Sequence, residues 1–137
     1  MDVALRPFLR RDYLLTALEK RFYNVLRKVV APHSVHPKVR LADLVDAERS
    51  HCFWQANFRR ICSKHIDFVV CDAALSPIIA VELDDSSHLL PDRVLRDRKL
   101  NRILEIASFP LLRVVARRTY DAKVIEKDIM AKLRFGA

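Results

Sequence analysis

Two hydrophobic periods alternate along this chain, and each change of period marks a predicted element. Leu18, Phe22, Val25, Leu26 and Val29 recur at helical spacing, which predicts a helix over residues 16–30. Thr16 followed by Glu19 is a capping-box signature at its start, and Pro32 ends it. The period then falls to two. Val35, Pro37, Val39 and Leu41 alternate with His36, Lys38 and Arg40, a strand over residues 34–44 whose proline suits an edge or a beginning. Trp54, Phe58 and Ile61 share one face of a short helix over 51–62. In the strand 65–71, Ile66, Phe68 and Val70 face one way and His65, Asp67, Val69 and Cys71 the other. A turn over 72–77 leads to a strand over 78–84, with Ile79, Val81 and Leu83 on one face and Ala80, Glu82 and Asp84 opposite. Residues 92–107 read as a basic helix, 111–116 as a strand and 121–134 as a last helix. This order describes an α/β or α+β sheet flanked by helices.

Composition narrows the function classes. At 137 residues and 51% hydrophobic content, one domain spanning 1–137 with a sizeable core is expected, residues 1–12 forming an arm. No apolar run approaches the roughly 18 residues of a membrane span, and Met1 to Arg11 is charged. A soluble, cytoplasmic protein with no membrane partner is therefore expected. The single glycine, Gly136, excludes a Walker loop and a dinucleotide fingerprint, both of which need several. Cys52, Cys62 and Cys71 form no C-x-x-C, and His51, Cys52, Cys62 and His65 fit no common zinc module, so free thiols are expected. Lys and Arg number 25 against 17 Asp and Glu, a net charge of +8 carried mostly by arginine. Such a surface suits nucleic acid, although a solvated surface can also be basic.

The two central strands carry the candidate chemistry. If Cys71 lies opposite Ile78, Asp67 lies opposite Glu82. A one-residue slip would set apolar against polar faces, so every acceptable register leaves Asp67, Glu82 and Asp84 on one face. Three neighbouring carboxylates repel one another. A magnesium or manganese ion held by oxygen ligands would offset that repulsion; so would Arg96, Lys99 or Arg113, or simple solvation. His88, four residues beyond Asp84, is a candidate general base or acid, or an ordinary loop histidine. Glu19 is either a cap or a fourth acid. Arg93, Arg96 and Lys99 sit three apart and could line a phosphate track, while Arg98 and Arg102 spread around the same helix. Arg59, Arg60 and Lys64 form a second basic cluster. Trp54 reads as core rather than as a base-stacking platform.

Several stretches resemble a known family. They are His65-Ile-Asp-Phe-Val-Val, Val81-Glu-Leu-Asp-Asp-Ser-Ser-His88, Arg93, Arg96-Asp97, Pro110-Leu-Leu-Arg113 and Arg40-Leu-Ala-Asp43. From about Thr16 to about Leu133 the chain resembles a bacterial family catalogued as domain of unknown function 2726. That family is similar to the restriction-endonuclease-like PD-(D/E)XK nucleases, close to the very-short-patch-repair branch. The resemblance implies a four-stranded mixed sheet with helices on both sides and magnesium-dependent phosphodiester hydrolysis. Asp67 and Glu82 would match the metal-binding acids, Glu19 the acid on the first helix and His88 the histidine of the repair branch. The usual lysine, two residues after Glu82, is Asp84 here, and Lys99 is the candidate for a lysine displaced to the next helix. The expected function is a nuclease acting on nucleic acid, most naturally DNA. The alternatives are a non-catalytic nucleic-acid-binding module and a protein-interaction domain with an incidental basic surface.

Overall fold

Thr16 opens the first helix. Its hydroxyl accepts the Glu19 amide at 3.2 Å while Glu19 Oε1 accepts the Thr16 amide at 2.9 Å, closing the capping box. In the computed structural model, which describes residues 7–85 and 90–135, this helix, α1, runs Ala17–Val30. It is followed by β1 (Ser34–Arg40), α2 (Trp54–Cys62), β2 (His65–Cys71), β3 (Pro77–Asp84), α3 (Pro91–Ile106), β4 (Leu111–Val115) and α4 (Ala122–Phe135).

Two predicted boundaries move. The strand expected over 34–44 stops at Arg40, and Leu41–Asp43 wind into a 3-10 turn. The Arg40 guanidinium grips Asp43 through Nε at 3.1 Å and NH2 at 2.7 Å, and Leu41 is fully buried, so the chain turns inward instead of extending. The helix expected from 51 starts at Trp54, because the Glu48 and His51 carbonyls accept the His51 and Trp54 amides in tight turns.

The four strands lie in the order β1-β2-β3-β4. The first two neighbouring pairs are antiparallel and β3–β4 is parallel. A parallel pair needs a crossover, which α3 supplies. Pro37 sits on β1, an edge strand, where its missing amide is tolerated. The β2–β3 ladder pairs Phe68 with Val81, Val69 with Ala80 and Val70 with Ile79, the register that sets Asp67 against Glu82. Cys71 pairs with Pro77 rather than Ile78, because the ladder shifts between Val70 and Cys71. The Asp72 carboxylate organises the turn between them, accepting the Ala74 and Ser76 amides at 2.9 and 3.0 Å.

Helices flank both faces. Phe22, Leu26 and Val30 of α1 and Ile125 and Ile129 of α4 pack on Phe68, Val70, Ile79 and Val81. Phe22 meets Phe68 at 5.5 Å and Tyr120 at 5.2 Å between ring centroids. On the other face Ile61 of α2 and Leu100 and Leu104 of α3 pack on Ile66, Val69, Cys71 and Ala80; Ile66, expected on the face of Phe68 and Val70, joins this core instead, together with its partner Val39. The result is an α+β fold with a mixed sheet between helices. No described helix is long and apolar enough to cross a membrane.

Candidate functional site

Alternation along β3 turns Val81 toward α1 and α4 and leaves Ala80 and Glu82 on the face that α3 covers. Beyond Phe68↔Val81 the regular β2–β3 pairing gives way to a side chain: Asp67 Oδ2 accepts the Leu83 amide at 2.8 Å. That bond points the Asp67 carboxylate at its register partner. Glu82 is buried, at 8% exposure, and it hydrogen-bonds Asp67. Burial, then the hydrogen bond and negative charge of Asp67, push the Glu82 carboxyl up to about 9, against the lowering effect of Arg113. Its Oε1 is fully enclosed and has no hydrogen-bond partner among the described residues. A buried polar atom left without a partner is uncommon and invites an explanation.

Asp84, the third acid of the hairpin, is engaged elsewhere. Arg113 NH1 donates to its Oδ1 at 2.9 Å. The same guanidinium donates through Nε and NH2 to Asn101 Oδ1 at 3.0 and 2.8 Å, and stands 3.6 Å from Asp97 Oδ1. Arg113 lies beside Glu82 in the parallel β3–β4 register, so one side chain locks β3, β4 and α3 together and sets the electrostatics of the acid pair. Sequence reasoning had placed Arg113 only among several cations able to neutralise the acids. The crossover that brings residues 29 positions apart into contact is not a local signal.

Glu19 serves its helix cap and stands 3.8 Å from the Lys38 ammonium. Lys38 was not anticipated. The pairs Pro37↔Phe68 and Val39↔Ile66 bracket it, which sets it beside Asp67 in the β1–β2 register. Its backbone takes φ 53°, a left-handed value uncommon outside glycine. His88 lies outside the described residues, so its placement relative to the acids is not part of this geometry.

The basic residues divide into two groups. Arg93 and Arg96 line a cavity of about 560 Å³ at the start of α3, with Leu90, Pro91 and Asp92. Lys99 instead faces a larger cleft of about 750 Å³ between α2 and α3, which also takes Arg60 and Lys64. Arg59 is exposed on α2 and does not line that cleft. Trp54 is half-buried rather than core: it stacks on Phe58 at 5.6 Å, and the Arg49 guanidinium lies 5.5 Å from its ring centre. The three cysteines are free, Cys71 buried and the other two exposed.

Among the described residues no three His, Cys, Asp or Glu side chains gather as a metal set. Asp67 and Glu82 nevertheless fit a hard divalent cation as two protein ligands, and the partnerless Oε1 of Glu82 is the observation that supports the fit. Magnesium characteristically takes one or two carboxylates and completes its shell with water or phosphate oxygens.

Comparison with known proteins adds one match. The family described as "Protein of unknown function (DUF2726)" matches residues 11–133. No curated protein and no solved structure matches.

Proposed function

The chain belongs to the DUF2726 family, and from that premise and the buried acid pair we propose that it is a metal-dependent nuclease that hydrolyses phosphodiester bonds in DNA. The enclosed, partnerless Glu82 Oε1 beside Asp67 carries the reading. A buried carboxyl held against a half-buried one in a protein of net charge +8 forms the kind of site that a divalent cation relieves. Magnesium or manganese would supply Lewis acidity at a phosphoryl oxygen and lower the pKa of a coordinated water.

The chain's own residues divide the remaining work. The Leu83 amide fixes one Asp67 oxygen and so holds the carboxylate against Glu82, where the pair would receive the cation. Arg113 holds Asp84 and keeps the positive side of the site rigid. Lys38, placed beside Asp67 by register and tied to Glu19, is the lysine available to orient a water at this end of the sheet. Lys99, on the cleft flank of α3, is remote from the Arg113 contacts made by Asp97 and Asn101. Arg93 and Arg96 at the start of α3 would hold phosphate backbone.

The test is cleavage of plasmid, single-stranded and branched DNA with Mg²⁺ and then Mn²⁺, comparing wild type with Asp67→Asn and Glu82→Gln. Cutting by wild type that both variants lose is the expected result. Wild-type protein that cuts none of these substrates with either metal sinks the proposal. One observation favours a second reading, a catalytically inactive nucleic-acid-binding module. Asp84 occupies the position of the usual lysine and is committed to Arg113. That reading expects salt-sensitive DNA binding unchanged by Glu82→Gln, with no cutting.

A further inference from the structure

The acid pair and the largest basic feature lie on different flanks of α3. Asp97 and Asn101 on one flank meet Arg113. The opposite flank carries Arg98, Lys99 and Arg102, spaced to share one side of the helix, and they face Arg60 and Lys64 across the cleft. Ile61, Ile103 and Ile106 supply its apolar surface. Five cations therefore line the cleft against two carboxylates, Asp46 and Glu48. Arg102 is paired with Glu105 at 3.2 Å, whereas Arg60 donates to the neutral Asn57 amide oxygen at 3.1 Å and Lys64 to the Arg60 carbonyl. Burial lowers the pKa of the Lys64 ammonium, and the positive charges of Lys99, Arg96 and Arg60 lower it further. Cations set facing one another repel, and an anion lying between them would offset that repulsion.

One ring, that of His51, lines the cleft, and the aromatic residues of α2's N-terminal end adjoin it in the chain. His51 contacts Phe53 at 5.8 Å between ring centres, and Phe53 is 65% exposed. The next residue, Trp54, carries the stack with Phe58. Cationic walls, an apolar floor and the exposed Phe53 ring in contact with the lining His51 are components of single-strand recognition, in which phosphates take the charges and bases take the flat and apolar faces. Duplex DNA keeps its bases inside and could use only the charges.

We propose that the cleft between α2 and α3 binds an unpaired stretch of nucleic-acid strand, its phosphates on the Arg60–Lys64 and Lys99–Arg102 walls and a base against the isoleucines. The choice of ligand rests on the nuclease reading, but the binding does not depend on cutting. A volume of about 750 Å³ accommodates a small ligand of one or two nucleotides.

The test is fluorescence anisotropy at low salt and without metal, using a labelled single strand of about twelve nucleotides and its duplex. Trp54, the one tryptophan, lies three residues before the cleft-lining Asn57 on α2, and its fluorescence gives a second readout. The single strand is expected to bind about tenfold tighter than the duplex. Lys64→Gln and Arg102→Gln should each weaken it about fivefold and flatten its salt dependence, while Lys132→Gln, an equal loss of charge on α4, should not. Asp46→Lys should tighten binding, a gain that misfolding cannot imitate. Equal affinity for duplex and single strand, or cleft variants that bind like wild type, overturns the proposal. So does a polyglutamate peptide that competes as well as unlabelled oligonucleotide, which would make the cleft an acidic-peptide site. The same variants assayed with Mg²⁺ separate the two readings. Single-strand binding through the cleft without cutting removes the nuclease and keeps this proposal; cutting with no cleft dependence does the reverse.

Discussion

Against α1 and α4, the buried side chains on the sheet are Val35, Phe68, Val70, Ile79, Val81 and Leu112, all apolar, and Phe22 closes over them. Against α2 and α3, the same strands begin with Val69, Cys71 and Ala80 and then give way to Glu82, the one buried charged residue among those described. The two faces share a backbone; parity divides them along β3 and the second half of β2, and Ile66 and Val39 cross to the second face at the start of β2. Both faces bury an apolar core, but the first is apolar throughout. The second face accepts a carboxyl whose preferred state in water is charged and whose preferred state here is not. A fold that keeps such a group has stability from elsewhere to spend on it.

Substitutions that act on one face at a time sharpen the contrast. The largest effect is expected on the apolar side: Phe68→Ala should cost about 4 kcal/mol in urea unfolding, because the ring is fully buried between Phe22 and Tyr23. A loss under about 1 kcal/mol would mean that this face is not where stability resides. Next comes Arg113→Met, which removes the guanidinium from Asp84, Asp97 and Asn101 and should cost about 3 kcal/mol. It should also raise the Glu82 carboxyl further, since Arg113 is the charge that opposes its upward shift.

Glu82→Gln should move stability the other way, by about +2 kcal/mol at pH 8 without metal. The sign follows from linkage. The Glu82 carboxyl titrates near 4.5 when unfolded and near 9 when folded, so the unfolded chain gives up its proton first. Wild-type stability from this group is complete below about pH 4.5 and declines as pH rises toward 9. Unfolding midpoints measured across that range should slope for wild type and flatten for Glu82→Gln. Mg²⁺ should restore wild-type stability more at pH 8 than at pH 5, because it displaces a proton to bind. Identical slopes for both proteins would show that Glu82 is ordinarily ionised. The smallest expected effect lies outside both faces: Thr16→Ala should cost about 1 kcal/mol by removing the cap of α1.

Legibility in the sequence followed range. Every element could be located from local periodicity, and parity placed Phe68, Val70, Ile79 and Val81 on one face and Val69 and Ala80 on the other, with Asp67 against Glu82; it failed at Ile66, which was expected beside Phe68 and packs with Val69 and Ala80 instead. Boundaries failed where a side chain redirected the chain, as Arg40 does by holding Asp43. The site was legible in its acids, which sit on adjacent strands of one hairpin. Its cations were legible only in part: Arg113 was one of three named as able to neutralise the acids, and Lys38 was not named. Arg113 reaches Asp84 through a parallel crossover, and Lys38 reaches its register position beside Asp67 through an antiparallel pairing whose offset no turn residue announces. The division of Lys99 from Arg93 and Arg96 depended on how α3 is rotated over the sheet, and a helix charged on nearly all sides gives that rotation no strong signature.

The bond from Asp67 to the Leu83 amide has a practical consequence for genetics. One oxygen of that carboxylate is a rivet in the sheet, and the same carboxylate also meets Glu82. Alanine at position 67 would pull both at once, and a dead, loosened protein would be mistaken for a dead enzyme. Asparagine keeps an oxygen able to receive the Leu83 proton and withdraws the charge alone. Alanine scanning of this hairpin would therefore overcount its functional residues, and isosteric replacement is the scan that separates architecture from reactivity.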